Sequence, residues 1–280
     1  MDLNIHQFAG YELVASGSGR KLERFGKVLV ERPSPQAIWP LDDSKPWRDA
    51  QVSFVRNEGG TGDWRMSKRN VPQTWAAKWN DLTFEIRLTG FGNLGLFPEH
   101  TAHWSWMAER IGDGRSPKIL NLFAYTGGAS MACARAGATV THVDAAKSVN
   151  NWAIANANLS AISSDRIRYL ADDALKFVKR ELRRNKRYDG IILDPPTFGR
   201  GAKGEVWKIE RDLHNLLELC GSLLSPKPLF VLLTSHSPGV TPSVLSTMLS
   251  GFGPGIESGE MLLQGKGRPL PSGAYARWTP

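Results

Sequence analysis

KILNLFAYTGGASMACARAG, residues 118–137, reads as a strand that turns sharply into a helix. Ile119, Leu120, Leu122 and Phe123 make an apolar run of strand length, consistent with burial on both faces. Ala124-Tyr125-Thr126-Gly127-Gly128 follows. Its two adjacent glycines allow a tight turn and a close approach of backbone to a ligand, with a helix N-terminus behind. The same rhythm recurs outward. TVTHVD (139–144) precedes the helix AAKSVNNWAIANANL, and IRYLA (167–171) precedes DDALKFVKREL. YDGIILD (188–194) leads through a loop to the helix EVWKIERDLHNLLELCGSLL, and LFVLLTS (229–235) closes the series. Apolar strands separated by helices specify an α/β fold, a doubly wound parallel sheet covered on both faces. PSVLSTML then reads as a short helix, with EMLLQ and AYARW as two further strands.

Before residue 97 the pattern is short strands and turns. QTWAAKW and LTFEIRL flank Asn80-Asp81, a hairpin turn. RNEGGTGDW (56–64) reads as another hairpin tip, and ERPSPQAIWP as a strand broken by prolines. Two domains are therefore expected: residues 1–96, small and β-rich, and residues 97–280, joined through the helix TAHWSWMAERIG. Seven of the ten tryptophans lie between Trp39 and Trp106. They are read as the aromatic core of a thin domain rather than as a platform for stacking bases.

With 41% hydrophobic and 22% charged residues, the 280-residue composition is that of a globular chain and argues against disorder. The longest apolar runs fall short of a membrane span, and MDLNIHQF lacks the character of a signal peptide, so a cytoplasmic protein is expected. Cys133 and Cys220 are the only cysteines, which argues against a disulfide framework and a cysteine-based metal site. The formal net charge of +8 favours anionic partners, nucleic acid above all. The densest basic run, KFVKRELRRNKR (176–187), reads as the solvated last turns of a helix.

Ligands of such sheets bind beyond the carboxyl ends of the strands, where Asp144, Asp172, Asp173, Asp194 and Ser235 would gather on one rim. The turn is not GxGxxG, so a pyrophosphate is poorly served. Asp144 stands where a carboxylate can accept both hydroxyls of a ribose, and Asp173 where one can accept from an adenine amino group. Either acid could instead be a helix N-cap, a role assigned first to Asp172. In LDPPTFGR (193–200), Asp194-Pro195-Pro196 is a stiff, extended segment whose carbonyls stay free to accept hydrogen bonds. Pro-Pro can equally just end a strand. Together these features describe a nucleoside site without phosphate recognition, and S-adenosylmethionine is such a ligand.

NLFAYTGGAS, VDAAKSVNNWAIANANL, DDAL and DPPTF resemble motifs of class I S-adenosylmethionine-dependent methyltransferases, in particular the bacterial 23S ribosomal RNA methyltransferases I and K. The resemblance covers roughly residues 93 to 238. It implies a Rossmann-like sheet of seven strands with the last reversed, which suits EMLLQ and AYARW. It also implies that Phe123, Ala124, Tyr125, Thr126, Gly127 and Gly128 face the methionine part of the cofactor. Asp144 and Ala145 would lie at the ribose, Asp172 and Asp173 at the adenine, and Asp194 and Pro195 beside the methyl group. GLFPEH (95–100) is similar to the family's G-x-F-x-D-Q-R segment, which brings Phe97 and Glu99 to the cofactor side. Glu99 and His100 replace its Asp-Gln, and Thr101 its Arg.

Methylation of cytosine C5 needs a thiolate that adds to C6, and relatives doing this carry cysteine after the fifth strand. Here that stretch is LLTSHSPG. Direct transfer to nitrogen needs orientation and proton removal instead. DPP followed by an aromatic, here Phe198, resembles amino-methylating sites in which the aromatic stacks on the base. The expected function is therefore S-adenosylmethionine-dependent methylation of a base nitrogen in RNA, ribosomal RNA first, with the nucleotide and the choice between an amino and a ring nitrogen left open. The rivals are a nucleotide-linked dehydrogenase, a cofactor-binding protein without catalysis, and a methyltransferase acting on a protein or small molecule.

Overall fold

The structure is a computed structural model that describes residues 1–57, 61–68, 71–112, 116–201 and 204–280. The chain forms two compact units. One contains Met1–Leu3, Ala102–Met261 and Gly273–Pro280, and the other contains Asn4–Thr101 and Leu262–Ser272.

Strand β1 (Leu3–Ile5) opens the chain. The smaller unit then builds a five-stranded sheet from β2 (Tyr11–Gly17), β3 (Arg20–Phe25), β4 (Val28–Pro33), β5 (Val52–Arg56) and β6 (Gly62–Met66), in that order. All its pairs are antiparallel except β4 with β5. Residues 58–60 of the expected second hairpin tip lie outside the described residues. β7 (Thr74–Trp79) and β8 (Leu82–Arg87) form the expected hairpin, with Asn80 at a φ of 50°.

The core of this unit differs from expectation. Leu22, Phe25, Val52, Leu82, Phe84 and Ile86 are fully or almost fully buried, whereas its five tryptophans are only partly so. For three of them the reason is the indole N–H, which needs a partner when buried. Trp39, Trp64 and Trp75 donate theirs to the carbonyls of Ser16, Thr89 and Phe25 at 2.8–3.0 Å, pinning loops at the margin of the core. Within the core, Arg32 grips Glu23 with two prongs at 2.8 and 2.5 Å, and Tyr11 donates to the same carboxylate at 3.0 Å. Burial pushes the Glu23 carboxyl up, but Arg32 and Lys21 outweigh it and hold the group below its usual range.

The larger unit follows the expected alternation. Its elements are α1 (Thr101–Ile111), β9 (Lys118–Leu122), α2 (Gly128–Arg135), β10 (Thr139–Asp144), α3 (Lys147–Leu159), β11 (Ile167–Ala171), α4 (Ala174–Arg183) and β12 (Gly190–Leu193). Then come β13 (Phe198–Arg200), β14 (Val206–Lys208), α5 (Ile209–Gly221), β15 (Phe230–Ser235), α6 (Pro242–Leu249), β16 (Ile256–Leu263) and β17 (Leu270–Trp278). The sheet order is β1-β16-β17-β15-β12-β9-β10-β11. β9, β10, β11, β12 and β15 are mutually parallel, and β17 runs antiparallel to β15. The seven strands and the reversed last strand are present, and β1 adds an eighth at the edge.

Two local features depart from expectation. The loop after β12 is a two-stranded ribbon of β13 with β14, so α5 begins at Ile209 rather than Glu205. Its start is set by Asp212, whose carboxylate reaches back to the Lys208 N–H at 2.8 Å. The central strands are also not apolar throughout. Asn121 of β9 and His142 of β10 lie in register and are buried. Among the described residues no helix is long and apolar enough to cross a membrane.

Candidate functional site

Parallel strands present all their carboxyl ends on one side. Along that rim the order β11, β10, β9, β12, β15 sets Asp172–Asp173, Asp144, the 123–127 turn, Asp194 and Ser235 side by side. The order of strands reverses between β9 and β12, which is where a sheet of this kind opens a crevice for a ligand. The Phe123–Gly127 turn and Asp194 stand on its two sides.

The turn is held in a conformation that L-residues rarely adopt. Phe123, Tyr125 and Gly127 have φ of 55°, 50° and 88°. Alternation of left- and right-handed residues tends to point successive N–H groups into a shared concavity. Among the bonds that hold it are Ala124 N–H to the Val143 carbonyl at 3.1 Å, Gly127 N–H to the Ala124 carbonyl at 3.1 Å, and the Asn156 amide to the Thr126 carbonyl at 3.0 Å. Each glycine also has a structural reason of its own. A side chain at Gly127 would meet the left-handed backbone penalty and Ala153 Cβ at 3.2 Å, and one at Gly128 would strike the Trp104 ring at 2.3 Å. Beneath the turn runs a polar chain. Asn121 donates to Ser130 Oγ at 2.9 Å, and Ser130 Oγ lies 3.0 Å from His142 Nδ1. Burial pushes the His142 ring down to about 3, so it is neutral.

Asp144 ends β10 half-buried. Tyr125 N–H donates to its Oδ2 and Ala146 N–H to its Oδ1, both at 3.0 Å. Burial raises its carboxyl above the ordinary range against the pull of those donors. A carboxylate has about four lone-pair sites, so one donor per oxygen leaves each able to accept another hydrogen bond. Ala145 lies between this acid and the start of α3 and is half-buried. Asp173 is the N-cap of α4, its Oδ1 accepting from Lys176 N–H at 2.9 Å. That corrects the assignment of the cap to Asp172. Asp172 instead accepts from Asp173 N–H at 2.9 Å and pairs with Arg180 at 2.6 Å.

Asp194 is oriented from the neighbouring strand, Thr234 Oγ1 donating to its Oδ1 at 2.7 Å, while His236 Nε2 stands 4.0 Å from the same oxygen. Pro195 is buried, and Pro196, Thr197 and Phe198 are exposed, Phe198 by 50%. One expectation fails here. The Pro196 carbonyl is not free, because it accepts from the Trp207 indole at 2.7 Å. The Trp207 ring in turn packs on Phe123 at 4.9 Å, tying the DPP segment to the glycine turn. Thr197 Oγ1 and Ser237 Oγ share a hydrogen bond of 2.7 Å. Sequence reasoning does not single out Thr234, His236 or Trp207, although LLTSHSPG carries a signal for the first two.

Phe97 and Glu99 belong to the smaller unit. Glu99 is buried there in the 3-10 turn Pro98–His100, and its charge acts on Tyr11 and Arg32. Both cysteines are buried away from the rim, Cys133 in α2 and Cys220 in α5. Burial pushes the Cys133 thiol up to about 12 and the Cys220 thiol higher still.

Comparison with known proteins agrees with this fold. A family model for S-adenosylmethionine-dependent methyltransferase matches residues 56–254. The ribosomal RNA large subunit methyltransferase K/L of Shewanella frigidimarina is 35% identical over 209 residues, which are 72% of this chain and 27% of that protein. Its namesake from Syntrophotalea carbinolica is 36% identical over 145 residues, 51% of this chain and 20% of that one. The chain thus spans well under half the length of these curated relatives. Among solved structures, a SAM dependent methyltransferase from Agrobacterium tumefaciens superposes with a TM-score of 0.95 at 37% identity, covering 100% of this chain and 93% of that one. With a matched family model over most of its length and a like fold in a relative 37% identical, the chain belongs to the S-adenosylmethionine-dependent methyltransferases.

Proposed function

We propose that the protein methylates a nitrogen of a base in RNA, ribosomal RNA in particular, by direct transfer without a covalent cysteine intermediate. Bound S-adenosylmethionine supplies an electrophilic methyl group. The Phe123–Gly128 turn would hold its methionine part, Asp144 and Ala145 its ribose, and Asp172 and Asp173 its adenine. The remaining acceptor capacity on both Asp144 oxygens suits a vicinal diol. Asp194, oriented by Thr234, accepts a hydrogen bond from the acceptor nitrogen and takes up its proton. Pro195 stiffens the segment that carries it, and exposed Phe198 offers a face on which a base can stack.

The observation that carries the direct route is the state of the thiols: both are fully buried and held protonated, so neither can act as a nucleophile at neutral pH. RNA as the acceptor is supported by the names of the ribosomal RNA relatives and by the net charge of +8. The test is methyl transfer to ribosomal RNA by wild type, Asp194→Ala and the Cys133→Ser/Cys220→Ser double variant. Asp194→Ala should lose about 10²–10⁴-fold in rate while still binding cofactor. The double variant should keep near-normal turnover and form no adduct with 5-fluorocytosine RNA. A trapped adduct in the wild type, or full activity in Asp194→Ala, would sink the proposal.

A further inference from the structure

At the end of the sheet opposite the rim, a cavity of about 500 Å³ opens between the amino ends of β9, β10 and β11 and the turn after α4. Five cations line it: Lys118, Arg166, Arg168, Lys186 and Arg187. Two carboxylates do so as well, Asp165 and Glu181, and five against two leaves a surplus of three positive charges. Glu181 does not neutralise them from the surface, because it is buried with Oε2 bonded to Tyr188 Oη at 2.8 Å and Oε1 3.7 Å from Arg184. Arg166 is directed to the Gly137 carbonyl at 2.9 Å and Arg187 to the Lys186 carbonyl at 2.9 Å. Among the described residues, none of Lys118, Arg168, Lys186 and Arg187 has a carboxylate within ion-pair distance. Asn185 adds a neutral side-chain amide to the same wall, whereas the Thr139 hydroxyl is given to the Pro117 carbonyl at 3.5 Å and the Thr141 hydroxyl to Tyr188.

We infer that this cavity is a docking site for backbone phosphates of the RNA acceptor, remote from the methyl-transfer rim; the inference rests on RNA being the acceptor. A concave surface with unpaired cations focuses positive potential and concentrates phosphate. The Asn185 amide beside the cations suits phosphate oxygens, which accept several hydrogen bonds at once. The location fits a long ligand. β11 is the free edge of the sheet, and its five residues span ~17 Å between rim and cavity, the reach of a few nucleotides. The basic run of residues 176–187 therefore divides in two: its helical part is solvated surface, and Lys186 and Arg187, beyond the helix, belong to the cavity.

The test is Lys186→Glu/Arg187→Glu, two exposed positions, against Lys179→Glu/Arg183→Glu, two exposed positions on α4 outside the cavity with the same charge change. Binding of a ribosomal RNA fragment is measured across a salt series, and S-adenosylmethionine binding by calorimetry reports that each variant is folded. The cavity variant should bind RNA at least about 10-fold more weakly, with its salt slope lowered by about 2, roughly one unit for each phosphate that is no longer neutralised. The control should change less than about 3-fold. Equal losses in both variants would mean that only net charge matters, and would overturn the site. Binding of inorganic phosphate that the cavity variant abolishes, with RNA affinity unchanged, would make it a small-anion site and overturn RNA docking. If the wild type bound no RNA, the acceptor assignment itself would fall. Wild-type binding that the cavity variant leaves intact would remove this inference alone.

Discussion

Acidification probes the polar chain under the glycine turn. His142 is buried between Asn121 and Tyr169 of the neighbouring strands, with its Nδ1 on Ser130 and its ring about a van der Waals distance from where a Cβ on Gly127 would stand. Burial pushes its ring from an ordinary 6.5 to about 3. The folded value lies below the unfolded one, so between them the unfolded chain binds the extra proton. Stability is therefore full above pH ~6.5 and declines as the pH falls. The limiting slope is ~1.4 kcal/mol per pH unit, so lowering the pH from 7.5 to 4.5 removes about 2–3 kcal/mol through this one ring. Other groups titrate in the same window, and the comparison must therefore be with His142→Gln, which cannot titrate.

The assay is urea unfolding followed by circular dichroism at several pH values. The variant should be less stable at pH 7.5, because its fit beneath the turn is imperfect, yet it should lose about 2–3 kcal/mol less than the wild type on going to pH 4.5. Amide exchange across β9 and β10 should show the same crossover. Parallel pH profiles for the two proteins would refute the buried neutral imidazole as the origin of acid sensitivity.

Three further outcomes are expected. Asp144→Ala removes a charged acceptor and should weaken S-adenosylmethionine binding by ~1.5–3 kcal/mol, or about 10–150-fold, read by calorimetry; an unchanged affinity would take Asp144 out of the site. Arg32→Met leaves Glu23 buried with only Lys21 and Tyr11 beside it, and should destabilise the smaller unit by ~3–5 kcal/mol in thermal unfolding. Asn156→Ala leaves the Thr126 carbonyl without its amide donor and should cost ~1–3 kcal/mol, with faster amide exchange in the turn.

The parallel sheet is legible in the sequence because its signal is redundant. Each of TVTHVD and IRYLA coincides with its strand, and the helices between strands declare themselves by composition. The rim follows from the same logic, since parallel strands leave their carboxyl ends together. What escapes is set by partners distant in sequence. The N-cap role falls to Asp173 rather than Asp172 because α4 starts one residue later than DDAL suggests. The ribbon of β13 and β14 depends on pairing of Phe198–Arg200 with Val206–Lys208, short segments with no repeating pattern to reveal them. Bulk alone assigns the tryptophans to the core, but the requirement of the indole N–H for a carbonyl draws Trp39, Trp64 and Trp75 to its edge.

The polar residues around the rim explain why it can be both strained and rigid. Two non-glycine residues in the left-handed region cost ~1–2 kcal/mol each, so the turn persists only if its surroundings over-determine it. They do so from three directions: Asp144 accepts the Tyr125 N–H, Asn156 donates to the Thr126 carbonyl, and Trp207 packs on Phe123. Trp207 joins this support to the other side of the crevice, because the same indole donates to the Pro196 carbonyl. The stiffness of Asp194-Pro195-Pro196 thus comes partly from proline and partly from an anchor shared with the turn. Asp194 itself is set by Thr234 on the adjacent strand. The direct transfer proposed above would depend on such fixed orientation, since a nitrogen acceptor needs alignment with the methyl group rather than covalent activation.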